Sequence, residues 1–496
     1  MTSRIRCASL TLLCGLFTLP ALAETIRVRA GESIQRAIEK APPGSVIEVE
    51  AGTYHEALVV DTAGITLRGL VSGAKRPVLD GKGKLNDGVI ASGSPFTMSG
   101  FAVQHYKGNG VTTQQVDGVT LTDLVIDDTG LYGVYPIQSR NIEITHCSVT
   151  RISDAGIYVG ESERAVVAYN AVFGNVAGIE IENTNDADVH DNVAYDNTAG
   201  ILVFVLPGKV LKEAKRNRVH HNWVLHNNTP NFGDPDAIVG QLPYGMGILV
   251  MGADDTVVED NWVRGNHSSG IGVIRLAREE SAKDPELEPL ADGTRVLFNY
   301  AVGNGTKPHP TIEKRYGGGL DFAWDGTGKG NCVSLPDSSL RRGVPLGPCR
   351  NASGARRDES AGGRRSAAAL PERRTLAAPP SAHHASALDA LFVASDAPPP
   401  DLSGADAVVH IRAMSYQPKH LRVKRGATVA WVNDDLAVHT VTSGHERTPT
   451  FAPLQSPVMT RGQVFRHAFH EAGRFEYLCL PHMDQLPMRE ATVTVE

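Results

Sequence analysis

Four residues near the C-terminus have the types and the spacing to hold a redox metal. Cys479 and His482 form a Cys-x-x-His pair in Cys479-Leu480-Pro481-His482, which follows the strand-like Phe475-Glu476-Tyr477. His439 lies upstream, just after Asn433-Asp434-Asp435, and Met488 follows His482 by six residues. A thiolate and two imidazoles form a trigonal site with a weak axial thioether, and copper held in such a set changes oxidation state with little rearrangement. Pro481 restricts the loop between Cys479 and His482. Each candidate ligand falls near the end of a short strand. The runs Val408-Val409-His410-Ile411, Leu421-Arg422-Val423, Thr428-Val429-Ala430-Trp431-Val432 and Thr492-Val493-Thr494-Val495, with turns at Gly426 and Gly473, predict a small β-sandwich over residues 403–496 to position them. The chain lacks the additional His-x-His pairs that a second copper centre requires. One mononuclear site carries one electron, so electron transfer or copper handling ranks above oxidase activity.

This domain resembles the plastocyanin, pseudoazurin and amicyanin family of cupredoxins. The matching segments are Tyr416-Gln417-Pro418, Val423-Lys424-Arg425-Gly426, Trp431-Val432-Asn433, Val438-His439-Thr440-Val441, Gly473-Arg474-Phe475-Glu476-Tyr477 and Cys479-Leu480-Pro481-His482. The resemblance implies a Greek-key β-sandwich with His439, Cys479 and His482 as equatorial copper ligands and Met488 as the axial one. Two features depart from the family. Five residues separate His482 from Met488, and Glu490-Ala491 replaces the small residues usual after the methionine. Met483 is a rival axial ligand, although its adjacency to His482 makes a return toward the metal awkward. His445, His467 and His470 lie outside the ligand spacing.

The chain has 496 residues, room for two or more domains. With 48 basic and 55 acidic residues its formal charge is -7, which argues against binding a nucleic-acid backbone. Residues 1–23 read as a secretory signal peptide: Arg4 and Arg6, a short apolar run, then Ala21-Leu22-Ala23. The expected location is periplasmic or secreted. No second long apolar run occurs, so no membrane span is expected. Fifty glycines and 6% aromatic residues suit short strands joined by tight turns rather than a helical bundle.

Those strands belong to a repeat. Gly110-Val111, Gly133-Val134, Gly156-Ile157, Gly178-Ile179 and Gly200-Ile201 follow one another at intervals of 23, 23, 22 and 22, and the pattern resumes at Gly247-Ile248 and Gly270-Ile271. A period near 22 marks a solenoid whose coils bury their apolar faces only by stacking. Asparagine pairs five apart recur at Asn170/Asn175, Asn192/Asn197, Asn222/Asn227, Asn261/Asn266 and Asn299/Asn304. They read as structural corners, because Asn tolerates left-handed turns and its amide bonds to backbone. Before the repeat, apolar residues at 34, 37, 38 and 41 predict one short helix stopped by Pro42-Pro43-Gly44, followed by strands. The pattern over about 24–330 resembles the right-handed parallel β-helix superfamily, which includes pectate lyases, polysaccharide epimerases and the periplasmic component of the nitrous-oxide reductase maturation system. The expected fold is therefore all-β: a parallel β-helix over 24–350, a linker over 351–402 rich in Ala, Gly, Ser and paired arginines, and the cupredoxin over 403–496.

Two segments interrupt the repeat, between Gly200 and Gly247 and between Asn266 and Asn299. Projecting loops are the usual place for a solenoid to carry a site. Lys209, Lys212, Arg216, Asp234, Asp236, Glu259 and Asp260 are candidates to line a groove for an anionic or hydroxylated ligand. Lyase, epimerase or hydrolase chemistry needs a base and a charge stabiliser, or paired carboxylates, and no tight acidic cluster repeating on adjacent coils is visible. Binding or scaffolding therefore leads catalysis for this domain. Cys332 and Cys349 are expected to pair. Cys147, inside a strand-like run, reads as a buried free thiol, with His146 beside it a weak ligand candidate. The leading reading is an exported blue-copper electron-transfer protein with a redox protein partner, whose β-helix docks that partner or a polysaccharide. The alternatives are a copper-delivery factor and a polysaccharide lyase or epimerase with an attached cupredoxin.

Overall fold

The glycine period becomes the length of one coil. Val111 pairs with Val134, Ile157 with Ile179, Ile179 with Ile201, Ile201 with Ile248, and Ile248 with Ile271, all in parallel register. A Cβ on Gly110 would lie 2.5 Å from the carbonyl oxygen of Gly133, and one on Gly247 would lie 2.4 Å from that of Gly270. Stacked coils approach too closely at this position for any side chain, which accounts for the glycine column. The computed structural model describes residues 23–71, 75–335, 339–349, 401–412, 415–434, 439–445, 448–450, 453–456, 459, 462–479 and 488–496. The expected 1–23 leader, apart from Ala23, and nearly all of the expected 351–402 linker lie outside these residues.

Three long parallel sheets, of 12, 11 and 10 strands among the described residues, run along the solenoid, and successive coils contribute in turn to each. Inward-facing Val, Ile and Leu side chains from all three form one continuous core. At the N-terminal end, helix Ile34–Lys40 buries Ile34, Ala37 and Ile38. Its first turn is capped twice. Ser33 Oγ accepts from the N–H of Arg36, and the Glu56 carboxylate accepts from the N–H groups of Ile34 and Gln35. Near the C-terminal end, Cys332 and Cys349 form the expected disulfide.

The asparagine pairs build two ladders, one at each side of the short strands of the 10-stranded sheet. Nδ2 of Asn170 donates to Oδ1 of Asn192, Asn192 to Asn222, Asn222 to Asn261 and Asn261 to Asn299, at 2.8–3.0 Å. The second ladder runs Asn175, Asn197, Asn227, Asn266, Asn304 and ends on Asp321. The left-handed residue of these corners is the one before the asparagine, as at Tyr169 (φ 60°), Asp191 (φ 53°) and His221 (φ 54°). The asparagine itself supplies the bonds. Cys147 sits at such a corner rather than within a strand: its N–H donates to Asn170 Oδ1 at 2.9 Å, so it occupies the ladder position one coil earlier. It is a buried free thiol, and burial pushes it up to about 12. His146 stacks on Tyr169 instead of approaching a ligand set.

Residues 401–496 form a mixed two-sheet sandwich, of four and five strands among the described residues. Ala407–Ile411 pairs parallel with Thr428–Asn433, which pairs antiparallel with Val464–Ala468. His420–Val423 pairs parallel with Ala491–Val495, which pairs antiparallel with Gly473–Leu478. Trp431, Tyr416, Tyr477, Phe469 and Val493 fill the space between the sheets. Among the described residues of the whole chain, no helix is long and apolar enough to cross a membrane.

Candidate metal centre

Cys479 follows the end of strand Gly473–Leu478, and its N–H donates to the carbonyl of Met488 at 2.7 Å. The two ends of the closing loop are thereby held side by side. His439 reaches the same place from the opposite direction. It exchanges two backbone hydrogen bonds with Met459, and Asn433 Nδ2 donates to the Met459 carbonyl at 2.7 Å. Nδ1 of His439 stands 3.5 Å from Sγ of Cys479. His439, Cys479 and Met488 are all 0% exposed.

The surroundings suit a soft metal. Burial pushes the His439 imidazole down to about 3, so the ring is neutral at ordinary pH and keeps a lone pair for coordination. The N–H of Thr440 points at Cys479 Sγ from 3.4 Å. The Tyr416 hydroxyl donates to the Thr440 carbonyl, fixing the peptide next to His439. Burial, with the charge of the Cys479 thiolate, pushes the Tyr416 phenol well up, so it stays a neutral donor. A thiol and an imidazole at this distance, wholly buried beside a buried thioether, are the donor set that copper(I) and copper(II) both accept.

Of the expected ligands, the structure brings His439 and Cys479 together and places Met488 beside Cys479. His482 and the rival Met483 lie outside the described residues. Two of the histidines outside the ligand spacing are engaged elsewhere: His445 pairs with Glu476, and His467 packs edge-on against Phe469.

Several of the candidate groove residues on the β-helix are bonded to neighbouring groups. Lys209 pairs with Glu182, Lys212 with Asp284, and Arg216 with Asp186, while Glu259 pairs with Arg218. Asp234 accepts from the N–H of Asp236 within its own turn. Acidic residues do gather on adjacent coils, contrary to the sequence expectation. Glu180 and Glu182, on strand Ala177–Glu182, lie against Tyr158 and Gly160 of the preceding coil, near Asp154. The legible signal was Tyr135, Tyr158 and Glu180 in successive coil positions: the acids stack on tyrosines, not on one another.

Residues 405–496 match the profile of copper binding proteins of the plastocyanin/azurin family, and residues 87–263 match that of the right handed beta helix region. Amicyanin from Paracoccus versutus is 33% identical over 114 residues, 23% of this chain and 83% of that protein. Amicyanin from Paracoccus denitrificans is 36% identical over 91 residues, 18% of this chain, and this chain spans only 64% of that relative's length. Among solved structures, a purple cupredoxin from Nitrosopumilus maritimus aligns with 18% of this chain over all of its own length, at 32% identity and a TM-score of 0.17.

Proposed function

We propose an exported electron-transfer function from the premise that this chain belongs, through residues 405–496, to the plastocyanin/azurin family of copper binding proteins. The observation that carries the reading is the wholly buried pair of Cys479 Sγ and His439 Nδ1, 3.5 Å apart. His439, Cys479, His482 and Met488 would hold the copper, with the thioether as the weakest donor of the four. Bound copper supplies a one-electron couple. The protein's part is to keep the ligands where both oxidation states accept them. The ladder bond from Cys479 to Met488 and the bridge between His439 and Met459 hold two sides of the site on the sandwich. Thr440 N–H offers a hydrogen bond to the thiolate, which moderates its donation.

The 1–23 leader carries the protein out of the cytoplasm into an oxidising compartment, in which the Cys332–Cys349 bridge is stable. A redox protein exchanges electrons with the copper domain, and the β-helix is a binding module that holds the chain at its place of work. Protein-film voltammetry of the copper-loaded protein tests the reading. A reversible one-electron wave that disappears in Cys479→Ser supports it. Tight copper(I) binding with no reversible wave, followed by transfer to an apo acceptor, replaces it with copper delivery.

A further inference from the structure

Histidines gather on the outer face of the 12-stranded sheet. Val189 and Val219 point into the core, so Asp188 and His190, and on the next coil Arg218 and His220, point out. His190 and His220 are register partners, and their rings stack with centres 5.0 Å and planes 15° apart. His221 follows at the corner, where its backbone is left-handed (φ 54°), and its ring meets that of His220 edge-on. Nδ1 of His220 and Nδ1 of His221 are 2.8 Å apart. The two residues are adjacent rather than His-x-His, so the spacing sought for a second copper centre passes over them.

Each stacked imidazole is oriented by a carboxylate. Nε2 of His220 is 2.8 Å from Asp188 Oδ1, and Nδ1 of His190 is 2.8 Å from Asp191 Oδ2. The bond to Asp188 keeps the His220 proton on Nε2 and leaves the lone pair on Nδ1, facing His221. A carboxylate behind an imidazole is the arrangement that orients metal-binding histidines and raises their basicity. His220 is buried and held by its neighbours, whereas His221 is exposed and able to change tautomer. Without metal, His221 donates its Nδ1 proton to His220; a metal between the rings replaces that proton, which moves to Nε2 of His221. Glu259, next in the His190–His220 column, is held by Arg218. Asp188, Asp191 and Glu259 thus outnumber Arg218 around the pair, a balance that favours a dication.

The separation selects among metals. Two metal–nitrogen bonds of about 2.0 Å at a right angle end about 2.8 Å apart, whereas the tetrahedral angle preferred by zinc sets them about 3.3 Å apart. Right-angled nitrogen donors belong to the tetragonal geometry of copper(II) and nickel(II), and copper(II) is the more tightly bound of the two. We propose that His220 and His221 form a second, copper(II)-binding site on the β-helix, with Asp188 as its positioning residue. The two imidazoles fill adjacent corners of the square and water fills the rest, so the metal stays open to exchange with an incoming donor. The site lies outside the cupredoxin and does not rest on the electron-transfer reading.

The test uses the full mature protein and copper(II) alone, in a glycine buffer that strips weakly held metal. Calorimetry and EPR are expected to find two equivalents. One is intensely coloured with narrow hyperfine splitting; the other is nearly colourless, with wide splitting and superhyperfine lines from two imidazole nitrogens. His221→Ala, at an exposed position, weakens the second equivalent tenfold or more and leaves the coloured one and the melting profile unchanged. His220→Ala weakens it likewise. Asp188→Asn keeps the two-nitrogen signal and weakens binding by roughly tenfold or more. A second signal that survives both histidine changes, zinc held at the pair more tightly than copper(II), or uptake of no second equivalent overturns the proposal. Asp188→Asn binding as tightly as the parent overturns the positioning role. If the coloured equivalent is missing while the His221-dependent signal is present, the electron-transfer reading falls and this site stands.

Discussion

The N–H of Cys479 donates to the carbonyl of Met488 at 2.7 Å, so the first and last candidate ligands of the closing loop are backbone partners. A loop pinned in this way changes length without moving its ends. The long His482-to-Met488 interval therefore leaves the position of Met488 beside Cys479 intact.

From this, Met488→Ala is expected to leave a coloured copper protein whose reduction potential is shifted. Removing a wholly buried thioether also destabilises the metal-free sandwich by about 2–5 kcal/mol. Voltammetry and urea unfolding of the metal-free form read the two effects. Met483→Ala is expected to be nearly silent in both, and a large potential shift there with none in Met488→Ala would reverse the axial assignment.

The asparagine ladders are expected to be cooperative supports rather than surface decoration. Asn222 accepts from the backbone N–H and the Nδ2 of Asn192, and donates from its own Nδ2 to Asn261. Asn222→Leu leaves the buried backbone N–H of Asn192 without its acceptor and removes the amide that donates to the Val189 carbonyl, at roughly 1–3 kcal/mol each. Denaturant unfolding of the β-helix should show a loss of several kcal/mol. A loss below about 1 kcal/mol would mean that water replaces the rung.

The Glu180–Asp154 cluster gives the β-helix a definite pH dependence. Burial raises both carboxyls, Asp154 to about 7, so the folded chain holds protons that the unfolded chain has already released. The unfolded state then binds fewer protons, and stability falls as pH rises. This contribution is complete below the ordinary carboxyl range and is lost as pH passes through the raised values. The urea midpoint of the β-helix transition should therefore decline through neutral pH, and the decline should flatten in Asp154→Asn. A midpoint insensitive to Asp154→Asn would assign the pH dependence to other groups.

Much of this was legible in the chain itself. Glycines 22 or 23 apart report a coil because stacked backbones leave no room for a Cβ there, as at Gly110 over Gly133. Asn170, Asn192 and Asn222 report corners because each amide serves the next coil. Helix Ile34–Lys40 and the Cys332–Cys349 bridge were readable from local spacing alone. The partners of Lys209, Lys212 and Arg216 were not, because they lie on other coils or in the second insertion, outside any period. The Glu180 cluster escaped because a search for acids above acids misses acids above tyrosines.

Residues 351–402 are expected to separate two independently folded units. Their composition, alternating paired arginines with Ala, Gly and Ser and ending in Pro398-Pro399-Pro400, cannot bury much surface. Limited proteolysis should cut there first and release a fragment that still binds copper. First cleavage within residues 110–300 would contradict this organisation.

The most direct measurement of the central claim is an optical and EPR titration of the purified mature protein with copper(II), alongside Cys479→Ser and His439→Ala. One equivalent should develop an intense blue or green colour with narrow copper hyperfine splitting and bleach reversibly on reduction. The colour should be absent in Cys479→Ser and strongly perturbed in His439→Ala. A colourless protein that takes up only copper(I), or a Cys479→Ser variant that keeps the colour, would contradict the account.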